Sequence, residues 1–488
     1  MTDIPKRGLT RRDVMKTTGT AAVASALAGL ALPAVHAGEN NTIQLALVGC
    51  GGRGTGAAED ALVSKYGPTK LVAMADVFAD RISDCSKNLK VALRENFDKQ
   101  AAVPEDHKFI GFDAYKQAMD CLRPGDVVIL TTPPAFRWVH FTYAIQKGLN
   151  VFMEKPITVD GPSTRRMLKL GEEAKAKNLK VGVGLMCRHC HARQELYQRI
   201  QDGLIGDITL LRAYRQHSPV AFFASKPRSE YADTRNVSEL LYQIRRFHSF
   251  LWASGGCYSD FYIHNIDECC WMKNAWPVEA RAAGGRHYHH HSGGTDVDQN
   301  FDVYEVEYTF ADGTKLWLHG RCMNGCEQEF ASYAHGTKGS AVISVNGHWP
   351  SYARAFKSQR ARYSKRPQPD SIWQCGKEPD ADNPYRVEWN DLLRAIREDK
   401  PYSEVERGAM ASLVTAMGRM AAHTGKVISH RDGLLAIGPA GSNEVVLCQH
   451  ELAPEVDRFK MDSPAPVQAG PDGKYPTPQP GRTTTREY

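Results

Sequence analysis

Short apolar runs alternate with helix-compatible segments through the first part of the chain. The runs lie at 43–48, 70–75, 126–131, 150–153 and 180–186, and the clearest helical patterns lie at 79–97 and 163–177. Short apolar runs bounded by turn residues are typical of buried strands in a parallel sheet. Strand–helix alternation therefore predicts a doubly wound parallel sheet of the α/β class over residues 41–186.

The hydrophobic pattern changes after residue 187. Alternating runs lie at 280–284, 302–309, 315–321 and 339–343, and helical patterns lie at 194–202, 257–271, 387–399 and 405–424, the last two amphipathic. A period of two favours an antiparallel or mixed sheet with one wetter face. The polar, aromatic-rich segment 217–250 has no clean period, so we expect a long loop there. These patterns predict a second α/β domain at 187–450 and an extended Pro/Gly-rich tail at 464–488.

A glycine-rich turn follows the first apolar run. It consists of Gly49, Cys50, Gly51, Gly52, Arg53 and Gly54. G-x-G-x-x-G spacing after a strand predicts dinucleotide binding, because the first glycine permits the turn, the second lets the backbone approach a pyrophosphate, and the third lets helix and strand pack closely. The N terminus of the following helix would face the phosphates. A solvated glycine-rich turn is the alternative.

An acidic residue, Asp76, ends the second apolar run about 20 residues beyond the glycines, where a carboxylate binds the ribose hydroxyls of NAD. A carboxylate would repel the 2′-phosphate of NADP, so Asp76 favours NAD. Arg81 lies close enough in sequence to leave NADP as a second possibility. The alternative is a surface aspartate.

Two further segments follow predicted strands. One is Thr131, Thr132 and Pro133, and the other is Glu154 and Lys155 in the tripeptide E-K-P. Ligands of doubly wound sheets bind beyond the carboxyl ends of the strands. We therefore expect these five residues to line the cofactor site.

Three residues are candidates for catalysis. Lys155 could hydrogen-bond a substrate hydroxyl and stabilise developing negative charge. Asp260 and His264 are four residues apart, which on a helix places both on one face, and a carboxylate beside an imidazole suits a general base. The alternatives are a surface lysine and an ion pair on a helix surface.

The N terminus has the pattern of a targeting segment. T-R-R-D-V-M-K is a twin-arginine motif, and a short apolar stretch and a small-residue cleavage site after Ala37 follow it. Residues 1–37 are therefore expected to be a cleaved signal for export to the periplasm. They carry half of the formal net charge of +6. The remaining charge gives no reason to expect binding to nucleic acid or, after cleavage, to a membrane.

The cysteines and histidines do not form a convincing metal site. Cys187-x-x-Cys190 resembles half of a zinc site but lacks a matching second half, and the histidines at 287 and 289–291 fit a surface loop. The acidic cluster around Asp302 lacks the spacing of a calcium loop and is expected to be a turn. All twelve cysteines lie beyond the signal segment, and a protein that folds before export gives little reason to expect disulfides. We expect no metal.

Together these motifs resemble the Gfo/Idh/MocA oxidoreductase family in kind and order, from about residue 41 to about residue 426. The shared features are the glycine turn, Asp76, the T-T-P-P loop, E-K-P and D-x-x-x-H. The resemblance implies a Rossmann domain followed by an α/β domain whose open sheet forms homodimers or homotetramers. It also implies that Lys155 contacts substrate and cofactor, and that Asp260 and His264 supply the base.

The same resemblance implies NAD(P)-linked oxidation of a sugar, an inositol or a related polyol. The export signal is similar to that of a periplasmic family member that retains and recycles its nucleotide, so a tightly held cofactor is expected here. An NAD-dependent glycoside hydrolase, which oxidises the sugar transiently without net redox change, is the rival interpretation. A sugar-binding protein without catalytic activity is a third, which Lys155, Asp260 and His264 together argue against.

Overall fold

Six parallel strands form the first sheet, in the spatial order β3-β2-β1-β4-β5-β6. They are β1 (Ile43–Val48), β2 (Thr69–Asp76), β3 (Lys108–Ile110), β4 (Val127–Leu130), β5 (Asn150–Met153) and β6 (Val181–Val183). This is the doubly wound order, in which the chain reverses direction across the sheet between β1 and β4 and ligands bind in the crevice at that point. The predicted parallel sheet is confirmed.

The computed structural model describes residues 41–221, 223–286, 296–345, 347, 352–362, 368–376, 383–431, 434–441, 446–447, 450–453, 455–482 and 487–488. The predicted signal segment and the histidines at 287 and 289–291 lie outside these residues. The helices of the first part are α1 (Gly52–Leu62), α2 (Ala79–Leu93), α3 (Phe97–Gln100), α4 (Ala114–Asp120), α5 (Arg137–Gln146) and α6 (Gly161–Ala176).

The second sheet has eleven strands and is mixed, in the order β14-β13-β12-β11-β7-β10-β9-β8-β15-β16-β17. These strands are β7 (Ile208–His217), β8 (Glu279–Gly285), β9 (Val303–Thr309), β10 (Lys315–Cys322), β11 (Glu329–Gly336), β12 (Gly339–Val345), β13 (Arg354–Phe356), β14 (Ser371–Gln374), β15 (Ile428–Arg431), β16 (Leu434–Ile437) and β17 (Val446–Leu447). Among the described strands of this sheet, only β7 and β10 pair in parallel. The fold class predicted from the alternating pattern is therefore confirmed.

Helices cover one face of this sheet and reach back to the first. They are α7 (His191–Gln201), α8 (Glu239–Arg245), α9 (Leu251–Ser254), α10 (Gly256–Lys273), α11 (Pro384–Arg397) and α12 (Val405–Thr424). Trp389 of α11 stacks on Phe152 of β5 with ring centroids 4.3 Å apart. A helix predicted to belong to the second domain thus packs against the first sheet. In the part of the chain that is described, no helix has the length and apolar content to cross a membrane.

Two elements differ from the sequence expectation. Segment 217–250 is not one long loop, because it contains α8, whose Ser238 side chain accepts the N–H of Leu241 at the helix N terminus. Helix α12 was expected to be amphipathic, but it has no exposed polar face, because it is buried along nearly its whole length. It lies between α6, α10 and strands β8 and β9, so both of its faces meet apolar neighbours.

The described residues of the Pro/Gly-rich tail, 464–482 and 487–488, form no helix or strand but pack against the protein. Its apolar side chains Ala465, Val467 and Tyr475 are buried in a cluster with Phe250 and Trp252. The cysteines that the structure describes are all free thiols.

The last described residues of the chain make a buried ion pair. The Arg419 Nη2 donates to Glu487 Oε1 at 2.7 Å, and His423 Nδ1 lies 2.7 Å from Glu487 Oε2. Burial alone would raise the pKa of Glu487, but Arg419 and His423 lower it to about 2. Removing one member of a buried pair leaves an uncompensated charge.

We predict that Glu487→Gln lowers the free energy of unfolding by about 3 kcal/mol at neutral pH. A carboxylate with a lowered folded-state pKa stabilises the fold above its unfolded-state pKa, and this contribution disappears as the pH falls towards 2. The difference between wild type and variant, measured by urea unfolding, should therefore shrink in acid. Glu95→Gln, which removes an exposed carboxylate, is the matched control.

Candidate active site

A cavity of about 550 Å³ lies at the carboxyl ends of the strands of the first sheet. One wall is formed by the segments that follow β1, β2, β4 and β5, and the opposite wall by α10, β7 and the segment after α8. All of the predicted site residues except Cys50 line it, namely Gly49, Gly51, Gly52, Arg53, Gly54, Asp76, Arg81, Thr131, Thr132, Pro133, Glu154, Lys155, Asp260 and His264. Cys50 is buried beneath the glycine turn.

The glycine turn is shaped by backbone contacts. Gly49 has a φ of +98°, and a Cβ there would lie 2.7 Å from the Thr131 carbonyl carbon. A Cβ on Gly54 would lie 2.1 Å from the carbonyl oxygen of Gly49, whereas one on Gly51 or Gly52 meets nothing within 4 Å. The first and third glycines are therefore required by packing. The open space at Gly51 and Gly52 fits a pyrophosphate at the N terminus of α1.

The carboxylate of Asp76 sits at the end of β2, beside this turn. Its Oδ2 accepts the N–H of Cys50 at 2.7 Å, and its Oδ1 accepts the N–H of Phe78 at 3.0 Å. Burial raises the pKa of Asp76, and these hydrogen bonds partly offset the effect. The carboxylate is thereby fixed in the cavity wall, where it could accept the ribose hydroxyls of a dinucleotide.

The T-T-P-P loop is hydrogen-bonded to the glycine turn. Thr131 Oγ1 donates to the Gly49 carbonyl at 2.5 Å, and Thr132 Oγ1 shares a hydrogen bond of 3.2 Å with His140 Nδ1. Burial lowers the pKa of His140 to about 3, so this ring is neutral at physiological pH. Thr131 thus supports the cofactor site by fixing the first glycine.

Arg53 and Glu154 contact each other within one wall of the cavity. The Arg53 Nε donates to Glu154 Oε1 at 2.6 Å, and the guanidinium lies 4.8 Å from the centroid of the Tyr385 ring. The ion pair joins the start of α1 to the end of β5. Each of the two side chains is therefore oriented by the other, and both remain in the wall of the nucleotide site.

Lys155 and Asp260 meet in the middle of the cavity. The Lys155 Nζ donates to the Asp260 carbonyl oxygen at 2.6 Å and lies 3.4 Å from its Oδ1. The other carboxylate oxygen, Oδ2, lies 3.1 Å from His248 Nε2. Burial alone would raise the pKa of Asp260, but Lys155 and His248 hold it well below its usual range. The ionised Asp260 therefore fixes the positions of the Lys155 ammonium group and the His248 imidazole.

The sequence pattern predicts that Asp260 orients His264, and in the structure the carboxylate contacts an imidazole that no motif marks. His264 lies one turn further along α10 and lines the same cavity. The imidazole that Asp260 Oδ2 contacts is His248, from the segment without a clean period. Its backbone carbonyl accepts Asn300 Nδ2 at 2.8 Å, and Asn300 Oδ1 accepts the N–H of Cys257 at the start of α10.

Two arginines that line the cavity were also not predicted from the sequence. Arg137, at the start of α5, is fully buried and donates Nη2 to the Thr132 carbonyl at 2.8 Å. Burial lowers its pKa to about 10. Arg215 comes from β7. Neither belongs to a motif, and only its position at the end of an alternating strand could have suggested Arg215.

Residues 43–185 match the model of the Gfo/Idh/MocA oxidoreductase family, described as an NAD-binding Rossmann fold. These residues make up nearly the whole of the first domain, which is therefore similar to that family. This finding confirms the predicted cofactor class, NAD or NADP. The residues fit that group, because the open glycines Gly51 and Gly52 and the fixed carboxylate of Asp76 would hold its pyrophosphate and its ribose.

Curated relatives match the first domain over part of their length. Inositol 2-dehydrogenase from Corynebacterium glutamicum is 26% identical over 152 residues, which cover 30% of this chain and 44% of that relative. The alignment thus spans less than half of the relative.

Solved structures share the fold of both parts of the chain. The myo-inositol 2-dehydrogenase of Lactobacillus plantarum has a TM-score of 0.54 at 20% identity, covering 80% of this chain and 100% of that chain. The aldose-aldose oxidoreductase of Caulobacter crescentus has a TM-score of 0.57 at 14% identity, with the same coverage of the two chains. At these identities the similarity establishes a common architecture.

Metal ligands are not clustered in the part of the chain that is described, where no group of three or more His, Cys, Asp or Glu side chains is placed to hold an ion. The side chains of the acidic segment before β9 instead make hydrogen bonds and an ion pair within the protein. Asp298 accepts Arg286 Nη1 at 3.1 Å, and Asn300 holds the start of α10.

We predict opposite behaviour for two alanine substitutions in the glycine turn. Gly54→Ala drives a Cβ into the Gly49 carbonyl, so it should lower the free energy of unfolding by about 2 kcal/mol or more. Gly51→Ala meets no protein atom and should leave stability unchanged, but its methyl group would occupy pyrophosphate space and weaken NAD binding about 10-fold or more. Urea unfolding and NAD titration separate the two. Equal stability loss in both variants would contradict this assignment.

Proposed function

We propose that the protein is an NAD-dependent oxidoreductase that transfers a hydride from a CH–OH group of a sugar, an inositol or a related polyol. The observation that carries the proposal is that Lys155, Asp260 and His264 face the same cavity as the nucleotide-binding turn. A substrate hydroxyl in that cavity would lie between the first sheet and α10. The inositol and aldose enzymes of the same fold support this choice of substrate class.

Oxidation of an alcohol requires loss of a hydroxyl proton as hydride leaves the carbon. Lys155, held by Asp260, would donate a hydrogen bond to the substrate oxygen and stabilise its developing negative charge. His264 would accept the hydroxyl proton as general base. Bound NAD would supply the hydride acceptor.

Asp76 supports NAD rather than NADP as the cofactor. Its carboxylate is fixed by the N–H groups of Cys50 and Phe78, so it cannot turn away from a 2′-phosphate without losing both hydrogen bonds. Arg81 lines the same end of the cavity and keeps NADP as the second possibility.

We further propose export through the twin-arginine route and tight retention of the cofactor. The support for export is the N-terminal sequence pattern, and the support for retention is the packing behind the cofactor site. Phe136, which lines the cavity, has its ring centroid 6.2 Å from that of Phe459 in the C-terminal segment. Phe459 also packs edge-on against Trp252. Phe459 thus packs against the outside of one wall of the nucleotide site.

A homodimer or homotetramer is proposed through the face of the second sheet that α10 and α12 leave uncovered. Trp317 of β10 is 38% exposed on this face, and Tyr214 stacks on His319 beside it with ring centroids 5.0 Å apart. Exposed aromatic side chains in one patch are typical of interfaces.

The proposed reaction is tested with purified protein that retains its nucleotide. Sugars and polyols are added singly, and the absorbance of reduced nicotinamide is followed. We expect one substrate to reduce the bound cofactor and a carbonyl acceptor to reoxidise it. Release of a sugar from a glycoside, with no accumulation of reduced nicotinamide, would favour the glycoside hydrolase instead.

We predict that Lys155→Met and His264→Gln each lower the rate of nicotinamide reduction about 100-fold or more. Both variants keep the glycine turn and Asp76, so their affinity for NAD should change by less than about 3-fold. Rapid mixing measures the first quantity and NAD titration the second. Unchanged reduction rates in both variants would show that the site is assigned incorrectly.

A further inference from the structure

Strand β7 places an arginine at the substrate end of the cavity. Along this strand Leu211 and Ala213 are buried in the core that α10 covers. Side chains alternate along a strand, so Arg215 lies on the same face, two residues nearer the carboxyl end. There the strand forms part of the cavity wall, and Arg215 lines the cavity together with Asp260 and His264.

The guanidinium of Arg215 is supported by an aromatic ring and by no acceptor. It lies 3.6 Å from the centroid of the Phe330 ring. No hydrogen bond or ion pair joins it to any residue that the structure describes, and its Nε and Nη1 are shielded from solvent. Burial lowers the pKa of Arg215. Arg215 is half-buried, and its shielded Nε and Nη1 are costly without an acceptor, because these N–H donors have lost water and gained no hydrogen bond in return.

Three of the cations that line the cavity are in ion pairs, whereas Arg215 has no carboxylate partner among the described residues. Lys155 contacts Asp260, Arg53 contacts Glu154, and Arg245 donates Nη1 to Asp80 at 2.9 Å. In all, six cationic side chains and three carboxylates line the cavity. This surplus of positive charge over the whole lining favours anionic ligands, both the pyrophosphate of the cofactor and an anionic substrate.

Arg212 lies on the opposite face of β7, and its guanidinium has hydrogen-bond partners within the protein. Its Nε lies 3.0 Å from His335 Nε2, and its Nη1 donates to the Tyr214 hydroxyl at 2.9 Å. The two arginines thus differ in their partners and in the face of the sheet that they occupy, and not in residue type or strand.

We propose that the substrate is a sugar acid, whose carboxylate binds the free guanidinium of Arg215 while its carbinol faces Lys155 and His264. This inference rests on the proposed function and narrows its substrate class. A carboxylate carries one negative charge, which matches one unpaired guanidinium, whereas a phosphate monoester carries nearly two at neutral pH. Phe330 holds the guanidinium plane, so little side-chain freedom is lost on binding.

The test compares acidic sugars with their neutral counterparts on protein loaded with NADH, which cannot accept a hydride from them. Calorimetric titration measures the affinities for glucuronate and glucose, galacturonate and galactose, and gluconate and glucitol. We expect at least one acid to bind about 10-fold or more tightly than its neutral counterpart. Arg215→Gln should abolish that preference and change the affinity for the neutral sugar by less than about 3-fold, and Arg212→Gln should keep the preference.

Several results would overturn the inference. These are equal affinities within all three pairs, an equal loss for acid and neutral sugar in Arg215→Gln, and tighter binding of glucose 6-phosphate than of any sugar acid. Arg215→Lys, which keeps the charge, should retain part of the preference and serves if Arg215→Gln fails to bind NADH. Binding is measured here without turnover, so this test and the test of the proposed reaction can fail separately. If acids bind more tightly but no sugar reduces the nicotinamide, the inference about Arg215 is supported and only the proposed reaction is contradicted.

Discussion

The contact between Lys155 and Asp260 links the two parts of the molecule at the place where chemistry would occur. Lys155 follows the last buried residues of β5, and Asp260 lies within α10, so the 2.6 Å bond from Nζ to the Asp260 carbonyl fixes the width of the cavity. Both side chains are largely shielded from solvent. A lysine and a carboxylate buried so far need each other, because either alone would be an unpaired charge in a region of low polarity.

The position of Asp260 depends in turn on a chain of contacts that ends at the C terminus. Glu487 holds Arg419, and Arg419 Nη1 donates to the Gly255 carbonyl at 2.9 Å and lies 3.0 Å from Ser259 Oγ. These two residues flank the first turn of α10, directly before Asp260. The C-terminal segment thus contributes to the site through α12 and α10, although it supplies no side chain to the cavity wall.

Much of the fold followed from local pattern, while the site was only partly predictable. The apolar run of β1 and the spacing of Gly49 and Gly54 depend on neighbours in sequence, so they could be interpreted without coordinates. His248 and Arg215 depend on contacts between distant segments, and nothing in their immediate sequence marks them. Helix α12 was misjudged for a related reason, since its burial results from layers that enclose it on both sides.

The central claim is that this cavity transfers a hydride from a carbinol carbon to the bound nicotinamide. It is tested most directly with a sugar or polyol deuterated at the carbinol carbon that reduces the bound cofactor, followed by mass spectrometry of the cofactor after one turnover. We expect the reduced nicotinamide to carry the deuterium and Lys155→Met to abolish the transfer. An oxidised product formed while the cofactor remains unlabelled would contradict it.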